Sequence, residues 1–391
     1  MAKKIYLGVD SKARNVKKIY LGIDSKARKV KKGYIGVGGV ARPFLSGEPS
    51  YYGAITSLSS AKTGLAATSV ADYALFGGGA NHSGSVDASA TYYKSVDAYS
   101  SSLIKSSAPA MSYISTGLAA TRAGSYALFG GGTRYQGGSL CNSTVNVYDN
   151  SLTKLSNLSL TTGGGCQGVS ATTVAGSAIF AGGMYFAPGA TTTTTTPMTY
   201  INSSLVRTTG NTVSGSNLSA VTAGGKYALF FGGNRKTSNA NVVAYNLVAS
   251  TLKILRSNVY MAGVGVVAVG DYAVLAGGYG GSTSTSSSKA LSAVYTVDSN
   301  LVVSQIADLP EARYGMTGVS LKQFGFLVGG NGYSTDVIMY DSNLMATSPF
   351  SMGEARSGMA AASVGNYALL GGGKTSAVTT AVTATVEAIS L

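Results

Sequence analysis

Along most of the chain, apolar residues fall in short runs separated by glycine pairs and by clusters of Ser, Thr, Asn and Asp. Runs of this kind, rich in Ala, Val, Leu and Ile, predict strands joined by tight turns. A helical reading would place the glycine clusters inside helices, at about 1 kcal/mol per glycine. One run sets the rhythm. Tyr73-Ala74-Leu75-Phe76-Gly77-Gly78-Gly79 is nearly repeated as Tyr126-Ala127-Leu128-Phe129-Gly130-Gly131, and the pattern returns from Ser177, Tyr227, Tyr272, Phe324 and Tyr367. The seven Gly-Gly pairs stand 42 to 53 residues apart, and self-similarity at that period marks a repeat architecture.

Each repeat parses in the same way. A strand of small apolar residues (Leu65-Ala66-Ala67-Thr68-Ser69-Val70) turns into the Tyr-Ala-Leu-Phe strand, which ends at Gly-Gly. A variable loop follows, then a strand ending in Tyr, such as Val96-Asp97-Ala98-Tyr99 or Val337-Ile338-Met339-Tyr340, then a fourth strand. Four antiparallel strands in a unit of about 50 residues describe a propeller blade. The pattern predicts an all-β chain: an arm over 1–44, a connector over 45–53, and a seven-bladed β-propeller over 54–391. The last repeat stops at its third strand, Val386-Glu387-Ala388-Ile389-Ser390. Its missing fourth strand is expected from Ala54-Ile55-Thr56-Ser57-Leu58, which would close the ring without exposed edges. The Gly pair is expected where strands crowd near the central channel and turn away, since only Gly combines close approach with positive φ.

These residues resemble the kelch β-propellers over about 51–391. The shared features are the apolar strand ending in Gly-Gly, the Tyr-Asp strand after it, and the approaches Leu309-Pro310-Glu311-Ala312-Arg313 and Met352-Gly353-Glu354-Ala355-Arg356. The kelch Trp is absent, and Leu103, Leu152 and Leu344 stand four residues after their Tyr instead. The resemblance implies the fold and no particular partner.

Composition changes the picture at the front of the chain. Residues 1–44 hold twelve Lys and Arg against two Asp, whereas the remainder is nearly neutral. The charge describes a basic arm on a neutral body, and nucleic acid is not an expected partner. The arm has its own period of 14, in Lys3-Lys4-Ile5-Tyr6-Leu7-Gly8-Val9, Lys17-Lys18-Ile19-Tyr20-Leu21-Gly22-Ile23 and Lys31-Lys32-Gly33-Tyr34-Ile35-Gly36-Val37. Apolar residues alternate with Tyr and Gly, so each unit reads as a strand and turn in a small ladder. Ile5, Tyr6, Leu7, Ile19, Tyr20, Leu21, Tyr34 and Ile35 are its candidate assembly residues, and the chain is expected to be oligomeric or part of a larger assembly. No apolar run is long enough to span a membrane, and no apolar signal segment follows the first lysines.

Catalytic chemistry is hard to find. The one histidine, His82, lies in a loop, where a solvated side chain is the ordinary reading. No metal constellation has the right spacing, and Gly163-Gly164-Gly165 has no Lys-Ser/Thr after it to cradle phosphate. Asp149 and Asp341 recur with the repeat and read as turn caps. Cys141 and Cys166 are too few for a disulfide framework or a zinc site. They would share one face of neighbouring blades, where a bridge is allowed, although cytoplasmic manufacture favours thiols. The chain reads as a non-enzyme without cofactor or metal.

The loops after Gly-Gly vary most, and they carry Tyr93, Arg134, Tyr135, Gln136, Tyr185, Phe186, Arg235, Tyr279 and Tyr333. Tyr and Arg among Ser, Asn and Gly suit an adaptable recognition surface. The arm, ending in Gly38-Gly39-Val40-Ala41-Arg42-Pro43-Phe44, resembles the N-terminal repeats of virion proteins from phages and prophages of Gram-positive bacteria. That resemblance implies a phage structural protein, tail-associated and assembled in the host cytoplasm. Its arm would contact other virion proteins, and its propeller would bind a host-surface glycan or protein. The alternatives are an intracellular kelch scaffold binding another protein and a capsid-decorating protein.

Overall fold

The computed structural model describes residues 48–391 apart from 83–88, 136–138, 161–166, 186–193, 196, 214, 216, 233–241, 257–261, 281–288 and 331, and six strands before residue 48. For those six strands, and for 134–135, 139–140, 184–185, 194–195, 242 and 256, only the backbone is described. Seven four-stranded antiparallel sheets form a ring. The innermost strands are Thr63–Val70, Ala119–Ala123, Ser170–Val174, Leu218–Ala223, Gly265–Val269, Thr317–Leu321 and Ala360–Val364, and neighbours adjoin around a central channel. The second strands, beginning with Tyr73–Ala80 and Tyr126–Gly130, pair outside them. This is the expected seven-bladed propeller.

The ring closes with a strand from the front of the chain, but not at the expected residues. Ser50–Ile55 pairs antiparallel with Val386–Ser390, with Ile55 opposite Val386 and Ser50 opposite Ser390. The expected 54–58 shares only Ala54 and Ile55 with this strand, which starts four residues and ends three residues earlier, so Ser50–Gly53 belongs to the propeller instead of a connector. An irregular register at Tyr52 and Gly53 (φ +112°) breaks the alternation that would have marked the strand. Leu58 is buried at the entry to blade 1 instead.

Blades pack by matched volumes. A Cβ added to Gly77 would come 2.9 Å from the Phe129 ring of blade 2, and one on Gly130 would come 2.9 Å from the Phe180 ring of blade 3. The first glycine of the repeat is thus a matter of space. Where blade 5 offers the smaller Leu275, blade 4 fills the position with Phe231, and the two share a buried cluster. The second glycine is a matter of backbone, since Gly78 has φ +71° and a Cβ there would meet Ser115 O at 2.7 Å. These glycines end the second strand and not the innermost one. Their crowding comes from the chain entering the next blade.

A leucine recurs at a turn on the other face. Leu103, Leu152, Leu205, Leu301 and Leu344 all have φ between +61° and +64°. A left-handed leucine costs roughly 1–2 kcal/mol, which the partial burial of its side chain offsets in part, full burial being worth about 1.5–3 kcal/mol. Each packs on the buried cluster of its blade. Asp149 and Asp341 cap their turns as expected: Asp149 Oδ1 accepts from the amides of Ser151 (2.9 Å) and Thr153 (2.8 Å), and Asp341 does the same for Asn343 and Met345; Ser100 and Asn202 take that place before Leu103 and Leu205.

Before residue 48 lie three hairpins: Ile5–Val9 with Lys12–Val16, Tyr20–Ile23 with Lys26–Lys29, and Gly33–Val37 with Val40–Leu45. Each unit is strand, turn and returning strand. Among the described residues each hairpin is a separate sheet and no ladder joins them, because the partner of each strand is its own return. Ile19 lies outside the described residues.

Candidate functional site

Antiparallel order fixes which face holds what. Each innermost strand starts on the face where the second strand ends, so the loops after Gly-Gly and the chain entering every blade share one face. The Leu turns occupy the other. Around the mouth of the channel on the Gly-Gly face, glycines with positive φ mark six of the seven entries, Gly64, Gly117, Gly168, Gly263, Gly315 and Gly358, with Asn217 (φ +56°) at the blade 4 entry. The residues just before these glycines are Thr63, Thr116, Gln167, Ala262, Tyr314 and Ser357. Tyr314 is the one aromatic in this set.

The channel itself has a cavity volume of about 440 Å³ and is lined by three consecutive residues from each of the seven innermost strands, such as Ala67-Thr68-Ser69. One level presents Ala67, Ala120, Ala171, Ala220 and Ala361, and another presents hydroxyls such as Ser69, Thr173 and Ser363, together with Arg122. Several hydroxyls staple neighbouring blades: Thr222 Oγ1 donates to Thr173 O (2.6 Å) and Ser320 Oγ to Ala268 O (2.7 Å). This lining is built for ring cohesion.

Among the described residues, the loops over the Gly-Gly face form small hairpins on three blades. Thr133–Tyr135 pairs with Ser139–Cys141, Met184–Tyr185 with Thr194–Thr195, and Tyr279–Gly280 with Lys289–Ala290. Arg134, Tyr135 and Tyr185 therefore stand on hairpins of blades 2 and 3, with only their backbones described. Gln136, Phe186, Arg235 and Cys166 lie outside the described residues, so the pairing of Cys141 with Cys166 does too. Tyr93 is half-buried, and its amide donates to Gly79 O (2.8 Å), which fixes its loop on blade 1. Tyr333 is half-buried on the blade 6 loop with φ +54°, a conformation uncommon outside Gly and Asn. Tyr279 meets Tyr314 at 4.8 Å between ring centroids and 66° between planes. The sequence expectation of one shared face thus holds for these loops. It missed Tyr314, which the repeat alignment could have found as the bulky member of a small-residue position.

Buried charge is concentrated at blades 6, 7 and 1. Arg313 and Arg356 occupy the same place in blades 6 and 7, two residues before the entry glycine, and Lys62 fills it in blade 1, which sequence reading overlooked. Lys62 Nζ lies 3.2 Å from Asp97 Oδ2, both fully buried. Burial pulls the Lys62 ammonium down against the opposing pull of Asp97. Burial would raise the Asp97 carboxyl, yet the Ser59 hydroxyl, Lys62 and Lys105 together hold it below the ordinary carboxylate range. Arg313 Nη2 donates to Glu311 (2.8 Å) and Asp336 (3.0 Å). Hydrogen bonds from Arg313, then Ser334, keep the Asp336 carboxyl low. In the closing blade, Glu387 accepts from Arg356, from the Gly353 amide (2.6 Å) and from the Tyr51 hydroxyl (2.5 Å). Burial and the Glu387 carboxylate push Tyr51 up to about 12.

Among the described residues, no group of three or more His, Cys, Asp or Glu is placed to hold a metal ion, and no helix is long and apolar enough to cross a membrane. No protein-family profile matches the chain, and no curated protein matches it in sequence. Solved structures do match in fold. One, described as "Structure of YjhT", superposes with a TM-score of 0.52 at 13% identity, over 85% of this chain and 96% of its own. At that identity the likeness establishes the propeller fold alone.

Proposed function

We propose that the chain is a phage virion structural protein, tail-associated, whose propeller is held out as a receptor-binding head for a host-surface glycan or protein. The observation that carries this reading is a polarity. Ser50 pairs with Ser390, at the end of the third strand of blade 7, so the chain preceding it joins the propeller on the Leu-turn face. The variable, Tyr-bearing hairpins lie on the opposite face. A body anchored from one side thereby presents its adaptable loops on the other, as attachment requires. The resemblance of the arm to virion repeats and of the body to kelch propellers supports the same reading, with residues 1–44 contacting other virion proteins during assembly in the host cytoplasm.

The test has two arms. Replacing Ile5, Leu7, Ile19 and Leu21 by Ser in the full chain is expected to abolish incorporation into particles while leaving the propeller's melting temperature unchanged. Labelled full chain is expected to bind host cells, and Arg134→Ala, Tyr135→Ala or Tyr185→Ala to weaken that binding without loss of stability. Full incorporation of the Ser variant would assign the arm's contact to its charge. Host-cell binding that is absent in the parent would sink the receptor role.

A further inference from the structure

We propose that the central channel binds a small molecule through a singly charged oxyanion, a carboxylate or a phosphodiester, with Arg122 as the cation and Thr68 as a neighbouring hydroxyl donor. The site lies away from the variable loops and does not rest on the receptor role of their face. Among the residues lining the channel, Arg122 alone carries a charge. It stands one residue before the end of its innermost strand, Ala119–Ala123, and so lies toward the Leu-turn face. The same register position holds Ser69, Thr173, Thr222, Ser320 and Ser363 in five other blades, and Ala268 in blade 5. A long charged side chain stands where its neighbours are small.

Neighbouring junctions show what this position does when it carries a hydroxyl. Across blades 2 and 3, Thr121 and Thr173 share a hydrogen bond (2.7 Å), and Thr172 and Thr222 do the same across blades 3 and 4 (2.7 Å). Thr173 Oγ1 also donates to Arg122 O (2.8 Å), as Thr222 Oγ1 does to Thr173 O (2.6 Å). Thr68 and Arg122 hold the equivalent two register positions at the junction of blades 1 and 2, so they face each other across it. There the hydroxyl partner is missing. Arg122 bonds through its backbone, its amide donating to Thr173 Oγ1 (3.2 Å). Among the described residues, its guanidinium has no hydrogen bond or ion pair, and the Thr68 hydroxyl has no hydrogen bond. Both line the one cavity, and Arg122 is exposed within it. An arginine here gives up the hydroxyl pair and the carbonyl contact, so ring cohesion does not explain it.

Charge and space select the ligand. The turns that follow the innermost strands carry exposed Asp72 and Asp271 against exposed Lys226 and Lys322, which cancel, so Arg122 sets the sign of this end of the channel. A guanidinium presents paired N–H donors that match two oxygens of a carboxylate or phosphodiester, and a hydroxyl adds a further donor. A doubly charged phosphate monoester would call for a second cation, and the lining holds none. The cavity, at about 440 Å³, leaves room beyond the charged group for the body of a small molecule beside Ala67, Ala120 and Ala361.

The test uses the full chain, with methyl glucuronide and dimethyl phosphate as anionic probes and methyl glucoside as the uncharged twin of the first, read by saturation-transfer NMR and calorimetry. At least one anion is expected to bind, and the comparison of the two identifies the oxyanion. The glucoside is expected to bind about tenfold more weakly or worse, and added salt to weaken the anion. Arg122→Thr returns a hydroxyl to the position, as in blades 3 and 4; it is expected to melt no lower than the parent and to lose about tenfold or more in anion binding. Arg122→Lys keeps the charge without the paired donors and is expected to fall between. Thr68→Val is expected to weaken binding by a smaller factor. Binding of neither anion, glucoside binding equal to that of the glucuronide, or anion binding unchanged in Arg122→Thr would overturn the site. A melting temperature clearly lowered in Arg122→Thr would make the arginine a structural residue and overturn it too. Host-cell attachment is expected to be unchanged in Arg122→Thr, and anion binding unchanged in Tyr135→Ala, so this inference and the receptor role fail separately.

Discussion

Glu387→Ala should open the seam where the two ends of the propeller meet. Glu387 is 1% exposed, and its carboxylate joins the third strand of blade 7 to Arg356, to the Gly353 amide and to Tyr51 of the closing strand. Arg356 is fully buried, and its remaining bonds are from Nη1 to Gly372 O and Thr385 O, both 2.9 Å. Its Nε has no hydrogen-bond partner and lies 3.7 Å from a Glu354 oxygen. Removing one member of a buried pair costs about 3–5 kcal/mol, because the other charge is left uncompensated. The losses at Tyr51 and Gly353 concern the same carboxylate and do not simply add. At roughly 2.1 cal/mol/K per residue, a body of about 340 residues has an unfolding entropy near 0.7 kcal/mol/K, so about 4 kcal/mol lowers Tm by about 6 °C. Differential scanning calorimetry of the full chain measures this. Hydrogen exchange should show amides of residues 50–55 losing protection first. The double variant Arg356→Met/Glu387→Met removes both charges and is expected to recover most of the loss. A shift below about 1.5 °C for Glu387→Ala, or a double variant no better than the single one, would refute the account.

Gly77→Ala should cost about 1–3 kcal/mol, since its Cβ would press on the Phe129 ring at 2.9 Å, and Phe129→Leu added to it should restore part of that stability; chemical denaturation of both variants decides it. Removing residues 1–44 should leave the melting transition of the propeller in place, whereas removing 1–55 takes away the closing strand and should lower and broaden it; equal transitions would disprove this closure. Tyr51 and Tyr340 are both pushed up to about 12, each chiefly by burial, so the stability linked to their neutral forms is intact below the ordinary value of 10.0 and lost as pH rises through about 12. A tyrosinate absorbance titration should show this late ionisation coinciding with unfolding. At the acid end, Asp97 is held below its ordinary 3.8, so its contribution is complete above that pH and falls away as pH drops through the lower folded value; Asp97→Asn should flatten that limb of the melting profile.

Much of the fold was legible because a repeat states its rule seven times. The Tyr-Ala-Leu-Phe-Gly-Gly run, the Tyr near the end of five of the seven third strands and the Asp, Asn or Ser of the turns are local signals, set by alternation, turn chemistry and space, and they sufficed for blade number, strand order and the face of the variable loops. What the sequence could not display were terms that exist only between distant segments. The closing strand hides behind an irregular register at Tyr52 and Gly53, and only its pairing with Val386–Ser390, more than 300 residues away, identifies it. Lys62 looks like any surface lysine until Asp97, 35 residues on, is placed 3.2 Å from its ammonium in the interior. Tyr314 sat outside the variable loops, and its meaning comes from Tyr279 of the preceding blade. Periodicity depends on neighbours along the chain and is written there; charge burial and aromatic juxtaposition depend on neighbours in space, which ring closure alone supplies.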